Sequence, residues 1–306
     1  MMPDDAQPAR PSTLYVVATP IGNRRDITLR ALDVLRSVAL VAAEDTRVSG
    51  ALLTAYGIRV PLLSCREHNE REAATRIIAA LGSGQSVALV SDAGTPGISD
   101  PGARVVQAVR EAGFVITPLP GPSAVTAVLS VAGIEGDWCF HGFLPPKMTA
   151  RRKVLASLKD RPCAWVFYEA PHRIVETVAD LVHELGGSRR GFLAREVSKH
   201  FEQFHSASLA DLSEWLLADS DHQRGEFVLV VAAPEPDADA EGARAEAVLA
   251  TLMEELSPSQ SARLAARLTG VNKSTLYARA LALSAAKDAD NETDNETDNA
   301  TDKDAD

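Results

Sequence analysis

The chain has 306 residues, 45% of them hydrophobic, and a formal net charge of −11. That length points to two domains plus an appendage, and the acidic balance argues against a generally basic nucleic-acid binder. No run approaches the roughly 18 apolar residues of a membrane span, and the polar, Pro-containing start lacks the basic-then-apolar order of a signal peptide. Cys65, Cys139 and Cys163 are few and scattered, which reads as reduced thiols in the cytosol, each a small core residue, with no Cys-x-x-Cys metal site. The charge is uneven: Lys287 to Asp306 holds nine acids and two lysines, a net −7, which leaves −4 for the rest.

In chain order, Met1 to Ser12 reads as a flexible N-terminus. Leu14 to Ala18 is a short apolar strand, and Asp26 can cap a helix through about Ser37, with Leu29, Leu32 and Leu35 along one side. Ala39 to Ala43 is the next strand, Asn69 to Leu81 a helix and Val87 to Val90 a strand. Pro101 to Ala112 is a helix ended by Gly113, and Phe114 to Leu119 a strand. This alternation implies an α/β domain with a largely parallel sheet over residues 13–120.

A second α/β domain, residues 121–233, holds strands at Trp138 to Gly142, Cys163 to Tyr168, Gly191 to Arg195 and Phe227 to Val231, with a helix at Pro171 to Leu185. Residues 234–246 are acidic and Pro/Ala-rich, a linker. Residues 247–286 form a helical unit: Ser257-Pro258-Ser259-Gln260 resembles a capping box with Pro at N1. Thr269 to Asn272 is a turn, and Lys273 to Leu283 a second helix. The pair fits a helix-turn-helix or a simple packing hairpin. Residues 287–306 repeat Asp-Asn-Glu-Thr and are expected to be disordered.

Chemistry concentrates in loops that follow strands. Val87 to Gly102, VALVSDAGTPGISDPG, is an apolar strand followed by a long Gly/Pro/Asp loop and a helix start. It is neither a P-loop nor a dinucleotide fingerprint. Asp100 reads first as an N-cap with Pro101 at N1. Thr19 to Asn23, Glu44 to Arg47 and Pro120 to Ala124 are comparable loops. If the strands are parallel, all four lie on one sheet edge, where ligands bind in open α/β folds.

These strings resemble the tetrapyrrole methylase superfamily, and within it the branch that methylates small-subunit ribosomal RNA at a cytidine ribose 2′-oxygen. The resemblance is carried by Ala18-Thr19-Pro20-Ile21-Gly22-Asn23, Ala43-Glu44-Asp45-Thr46-Arg47, Ser91 to Pro96, Ser99-Asp100-Pro101-Gly102 and Pro118 to Pro122. It continues through Gly142-Phe143-Leu144-Pro145, Phe167 to Arg173, Leu193 to Glu196 and Gly225 to Leu229. It covers about Leu14 to Val231, and the helical unit less closely; the acidic tail has no counterpart.

The resemblance implies two α/β domains of tetrapyrrole-methylase type with an S-adenosylmethionine cleft between them, plus a small helix-turn-helix-like unit. Pro20, Asp92, Ile98, Ser123 and Ala124 would line the cleft, with Asp92 accepting from the cofactor's ribose or amino group. It also implies 16S rRNA or the small ribosomal subunit as partner, a homodimer, a cytoplasmic location and no membrane.

Methyl transfer from a sulfonium to a ribose oxygen needs alignment and removal of one proton. No metal is required, and no cluster has ligand spacing. Glu44, Asp45, Asp100 and Glu169 are the candidate proton acceptors, each also readable as a cap, a salt bridge or a cofactor contact. Arg24-Arg25, Arg151-Arg152-Lys153, Arg173, Arg189-Arg190, Arg195 and Lys199-His200 are the basic clusters. Arg151, Arg152 and Lys153 are favoured for phosphate; Arg173, with His172, is a separate candidate for phosphate or for a helix-start hydrogen bond. Phe140, Phe143 and Tyr168 could stack on a base, though Phe140 fits core packing better. The rivals are a small-tetrapyrrole methyltransferase and a DNA-binding regulator acting through Ser257 to Leu283, which offers mainly Arg263, Arg267, Lys273 and Arg279.

Overall fold

The structure is a computed structural model that describes residues 8–235 and 238–285. The expectation of a disordered tail at 287–306 lies outside these residues, as do residues 1–7 of the expected flexible N-terminus. Residues 8–12 are not loose. The Ala9 N–H donates to Ser37 Oγ at 2.8 Å, the Arg10 N–H to the Tyr15 hydroxyl at 2.8 Å, and the Ser12 hydroxyl to the Leu81 carbonyl at 2.9 Å.

The first sheet contains β1 (Thr13–Val17), β2 (Leu40–Ala43), β3 (Leu62–Ser64), β4 (Val87–Val90) and β5 (Val115–Leu119), in the order β3-β2-β4-β1-β5 and parallel throughout. Its strands read as apolar runs because both faces are covered. Tyr15, Val17, Val41, Ala43, Ala88 and Val90 point to one face, where α1 (Leu29–Ser37) and α2 (Thr46–Ala55) pack. Leu14, Ala42, Val87 and Leu89 point to the other, against α3 (Glu70–Gly82) and α4 (Ala103–Glu111). The α1 cap is Thr28, whose hydroxyl accepts from the Ala31 N–H, rather than Asp26, which sits in a preceding 3-10 turn.

The second sheet runs β6 (Trp138–Phe143), β7 (Ala164–Glu169), β10 (Phe227–Val231), β8 (Arg190–Arg195), β9 (Gln203–Ser208). Only β6 and β7 are parallel; the other pairings are antiparallel. Trp165, Phe167, Leu193, Phe227, Leu229 and Val231 face α6 (Met148–Leu158), α7 (Ile174–Leu185) and α8 (Leu209–Ala218). Val166, Ala194, Val228 and Val230 face the apolar helix α5 (Ala124–Ala132) through Val125 and Val128. Of the cysteines only Cys65 is buried; Cys139 and Cys163 lie near the β6–β7 edge as free thiols, the Cys163 Sγ donating to the Cys139 Sγ at 3.7 Å.

The described residues from 238 to 285 belong to a separate compact unit. The expected linker at 234–246 is largely helical, since α9 spans Ala238–Leu252. α10 (Pro258–Thr269) starts at the Ser257/Gln260 capping box and ends at the left-handed Gly270. Residues 273–285 are helical. Ala245, Leu249, Ala262, Ala265, Leu276 and Ala280 form the small core of this unit.

Candidate functional site

The first sheet opens a crevice at its carboxyl edge. The chain leaving β1 turns to α1 on one face, and the chain leaving the adjacent β4 turns to α4 on the other, the arrangement at which open α/β sheets bind ligands. Two backbone hydrogen bonds tie the loops together, Thr19 N–H to Gly94 O at 2.9 Å and Gly94 N–H to Thr19 O at 3.0 Å. The Thr19 hydroxyl adds a bond to the Ser91 carbonyl at 3.0 Å. The far end of the loop is fixed by Glu70 on α3, whose buried carboxylate accepts from the Gly102 N–H at 2.5 Å. Gly102, at φ +137°, is the N-cap of α4, so Asp100 does not cap the helix.

Between this edge and the second sheet lies a cavity of about 330 Å³, within the roughly 300–1,000 Å³ usual for small-molecule sites. Its apolar wall includes Ile21, Ile98, Phe143, Val197 and Val228, and its polar groups include Thr95, Ser99, Asp100, Ser123 and Tyr168. The lobes meet tightly around it. A Cβ at Gly142 on β6, where φ is +78°, would lie 2.7 Å from Ser99 Oγ, and one at Gly121 would lie 2.9 Å from the Ala18 Cβ. Both glycines permit a close approach that any side chain would obstruct.

The electrostatics are acidic. Burial pushes the Asp100 carboxyl up to about 6, with the Glu44 carboxylate as the next contributor. Burial also raises Glu44, and the Asp92 charge adds to that. Asp45 is the opposite case: hydrogen bonds from the Arg47 side chain and backbone hold it well below the usual carboxylate range. Asp45 forms ion pairs with Arg47 at 2.7 Å and Arg66 at 3.8 Å, whereas Glu44, Asp92 and Asp100 have no ion-pair partner among the described residues. Burial, reinforced by Asp100, pushes the Tyr168 hydroxyl up to about 12 and keeps it protonated.

Of the residues expected in the cleft, Ile98, Ser123 and Ala124 line the cavity. Pro20 and Asp92 each sit one residue outside its wall, beside Ile21 and Ala93. One Asp92 oxygen is already engaged, accepting from the Asp45 N–H at 3.0 Å. Among the candidate proton acceptors, Asp45 caps α2 and pairs with Arg47. Glu169 borders the cavity, but its carboxylate is buried and accepts from the Thr177 hydroxyl at 2.6 Å and the Ala170 N–H at 2.8 Å, with Arg173 at 3.2 Å. Asp100 alone of the four brings to the cavity wall a carboxyl without an ion-pair partner among the described residues; a hydrogen bond from the Ser91 hydroxyl holds it. Phe143 and Tyr168 do line it, and Phe140 packs edge-on against Tyr168. Val197 and Phe227–Val228 also line the cavity; the sequence shows Phe227–Val228 as part of a strand but not that the second sheet brings it to the site.

The basic cluster needs correction. Arg151 is 1% exposed and inward-facing, its Nε donating to Asp180 Oδ2 at 2.6 Å. Arg152 donates to the other oxygen of the same carboxylate at 2.6 Å, leaving only Lys153 exposed without that partner. Arg173 is also committed within the fold, donating to the Leu144 carbonyl at 2.7 Å. A buried carboxylate needs such partners; the sequence pattern Arg-Arg-Lys shows the cations but not Asp180, which lies on α7.

Residues 13–213 match the family described as Tetrapyrrole (Corrin/Porphyrin) Methylases, and residues 239–284 match the RsmI C-terminal HTH domain. The chain is 51% identical over 273 residues to the ribosomal RNA small subunit methyltransferase I of Pseudomonas aeruginosa, covering 88% of this chain and 96% of that one. It is 46% identical over 272 residues to the protein of the same name from Escherichia coli O157:H7, covering 88% and 94%. Among solved structures, the uroporphyrin-III-C-methyltransferase of Thermus thermophilus superposes with a TM-score of 0.52 at 18% identity over 73% of this chain and all of that one. The methyltransferase CobJ gives 0.54 at 20% identity, over 72% of this chain and 93% of that one. These two show the fold alone. A parallel sheet and a mixed sheet enclosing one cleft, followed by a helical unit that matches its own family, agree with the close relatives: the chain belongs to the tetrapyrrole methylases and, within them, to the ribosomal RNA small subunit methyltransferase I family.

Proposed function

We propose that the chain transfers a methyl group from S-adenosylmethionine to small-subunit ribosomal RNA, at the 2′-oxygen of a cytidine ribose. The names of the close relatives support the RNA substrate, and the cytidine ribose follows from the family resemblance. The observation that carries the cofactor is the cavity itself. It offers an apolar wall for adenine and a methylthio group, and unpaired carboxyls nearby at Glu44, Asp92 and Asp100 suit a ligand bearing sulfonium and ammonium charge. When bound, the cofactor supplies an activated methyl group on a good leaving group.

The residues then have distinct tasks. Ile98 and Ala124 cover the apolar part of the donor, and the Ser123 hydroxyl orients it. The rigid 91–102 loop fixes the donor's position, which is the main requirement of an in-line transfer. Asp100 takes the proton of the acceptor hydroxyl. A carboxylate titrating near 6 is a stronger base than an ordinary one and remains ionised at neutral pH. The Tyr168 hydroxyl, held protonated beside it, donates a hydrogen bond to the acceptor or to Asp100.

Among the described residues no helix is long and apolar enough to cross a membrane; a cytoplasmic site of action follows from the ribosomal substrate. A homodimer is the proposed assembly, supported by exposed Val131 on α5 and Trp138 on β6, and sedimentation of the purified chain tests it. Methyl transfer from labelled cofactor to unmodified small subunits tests the activity.

A further inference from the structure

With Arg151, Arg152 and Arg173 committed inside the fold, the RNA needs another surface. We propose that it is the rim formed by residues 23–25 and 198–201, with Arg24 and Arg25 contacting phosphates and Phe201 stacking on an unpaired base. The proposal rests on the rRNA reading and gives that reading a binding surface.

The two segments are locked together at the cavity mouth. Ile21 and Val197 line the cavity, and just beyond them the chains touch: a Cβ on Gly22 would fall 2.5 Å from Lys199 Cγ, and the Ser198 hydroxyl bonds to the Asp26 carboxylate. The 196–202 loop is held in a strained shape, with Glu196 at φ +53° and Ser198 at φ +67°. Its acids hold that shape. Glu196 accepts from Lys199 Nζ at 2.8 Å and from the Glu226 N–H at 2.9 Å, Glu202 accepts from the Ser198 N–H at 2.6 Å, and Glu226 accepts from Lys199 Nζ at 2.9 Å. Each nearby carboxylate is therefore engaged within the rim, and Lys199 is neutralised.

What remains outward is cationic and aromatic. Arg24 and Arg25 are exposed on a 3-10 turn capped by the Asn23 side chain, and neither guanidinium forms an ion pair among the described residues. On the facing segment His200 is exposed, its ring edge-on to Phe201 at 4.9 Å. Phe201 is 64% exposed, which packing does not explain. An exposed aromatic on one segment and unpaired guanidinium groups on the segment it touches are the chemistry that binds single-stranded RNA, stacking for the base and counterion release for the backbone. The location at the mouth places a bound strand where a flipped-out nucleotide reaches the cavity.

The test uses the full chain and a short fluorescein-labelled single-stranded RNA of small-subunit rRNA sequence, read by anisotropy across a salt series. Phe201→Ala should weaken binding about tenfold, Phe201→Trp should retain it, and Phe201→Leu should lose it as Ala does. Arg24→Ala with Arg25→Ala should reduce the slope of log affinity against log salt by about 1.4. Cofactor affinity by calorimetry and the thermal midpoint should stay at wild-type values in every variant. Wild-type affinity in Phe201→Ala or Phe201→Leu, or an unchanged salt slope in the double variant, overturns the surface while leaving the rRNA reading intact if the parent still methylates. A parent that binds cofactor but no RNA overturns both.

Discussion

Asp180 on α7 accepts from both Arg151 Nε and Arg152 Nε at 2.6 Å, one guanidinium on each carboxylate oxygen. Arg151 and Asp180 are buried, so the pair joins α6 to α7 beneath the second sheet and is unavailable to RNA. Removing Asp180 takes the closest counter-charge from the buried Arg151 guanidinium, whereas removing Arg151 still leaves Arg152 on the carboxylate. Asp180→Ala should destabilise the fold by about 3–5 kcal/mol and Arg151→Ala by less, read by chemical denaturation. Lys153→Ala, exposed on the same helix, should leave stability within about 0.5 kcal/mol.

The pH dependence follows from Asp100. As a proton acceptor it must be ionised, so activity falls as pH drops through its titration. The acid limb of kcat/KM should have an apparent pKa of about 6. Glu44 is the largest charge contribution to that elevation, so Glu44→Gln should move the limb to lower pH. Asp100→Asn should lower kcat by about 100-fold or more, with cofactor affinity changed only a few-fold.

The same group makes a stability prediction. A carboxyl whose pKa is 3.8 in the unfolded chain and about 6 in the fold binds its proton more tightly when folded. Its ionisation therefore costs stability, and the cost is full above 6 and vanishes below 3.8. Asp100→Asn should be more stable than the parent at pH 8, by about 1 kcal/mol after solvent screening, and no more stable at pH 3.5. Denaturation at the two pH values checks this; an equal advantage at both would exclude titration as its cause.

Gly142 couples the lobes. Its φ of +78° and the 2.7 Å approach of Ser99 Oγ to a would-be Cβ predict that Gly142→Ala shifts the 91–102 loop. Stability should fall by about 1 kcal/mol, and cofactor affinity should fall with it. Gly136, at φ +82° with open space around it, is the control: Gly136→Ala should carry the backbone cost alone and leave cofactor affinity unchanged.

Much of this was legible in the chain. The strands at Val87–Val90 and Phe227–Val231 match the structure end to end, because a fully buried strand is an apolar run with abrupt edges. The four strand-end loops converge because β1, β2, β4 and β5 are parallel. Other elements carried weaker signals. β9 is the polar edge strand QFHSAS, and α5, AVTAVLSVA, is apolar enough to blur its helical period. At the site, the Asp100 cap failed because Gly102 reaches a φ closed to other residues. The Arg151 assignment failed because its partner lies 29 positions away, beyond any local pattern.

The central claim is best tested by incubating the full chain with labelled S-adenosylmethionine and small ribosomal subunits from cells lacking this activity, then mapping the methyl group by mass spectrometry. The account predicts one methyl group on the ribose of a cytidine in the small-subunit rRNA, lost in Asp100→Asn. Methylation of a tetrapyrrole with none on RNA, or a methyl group placed on a base, would contradict it.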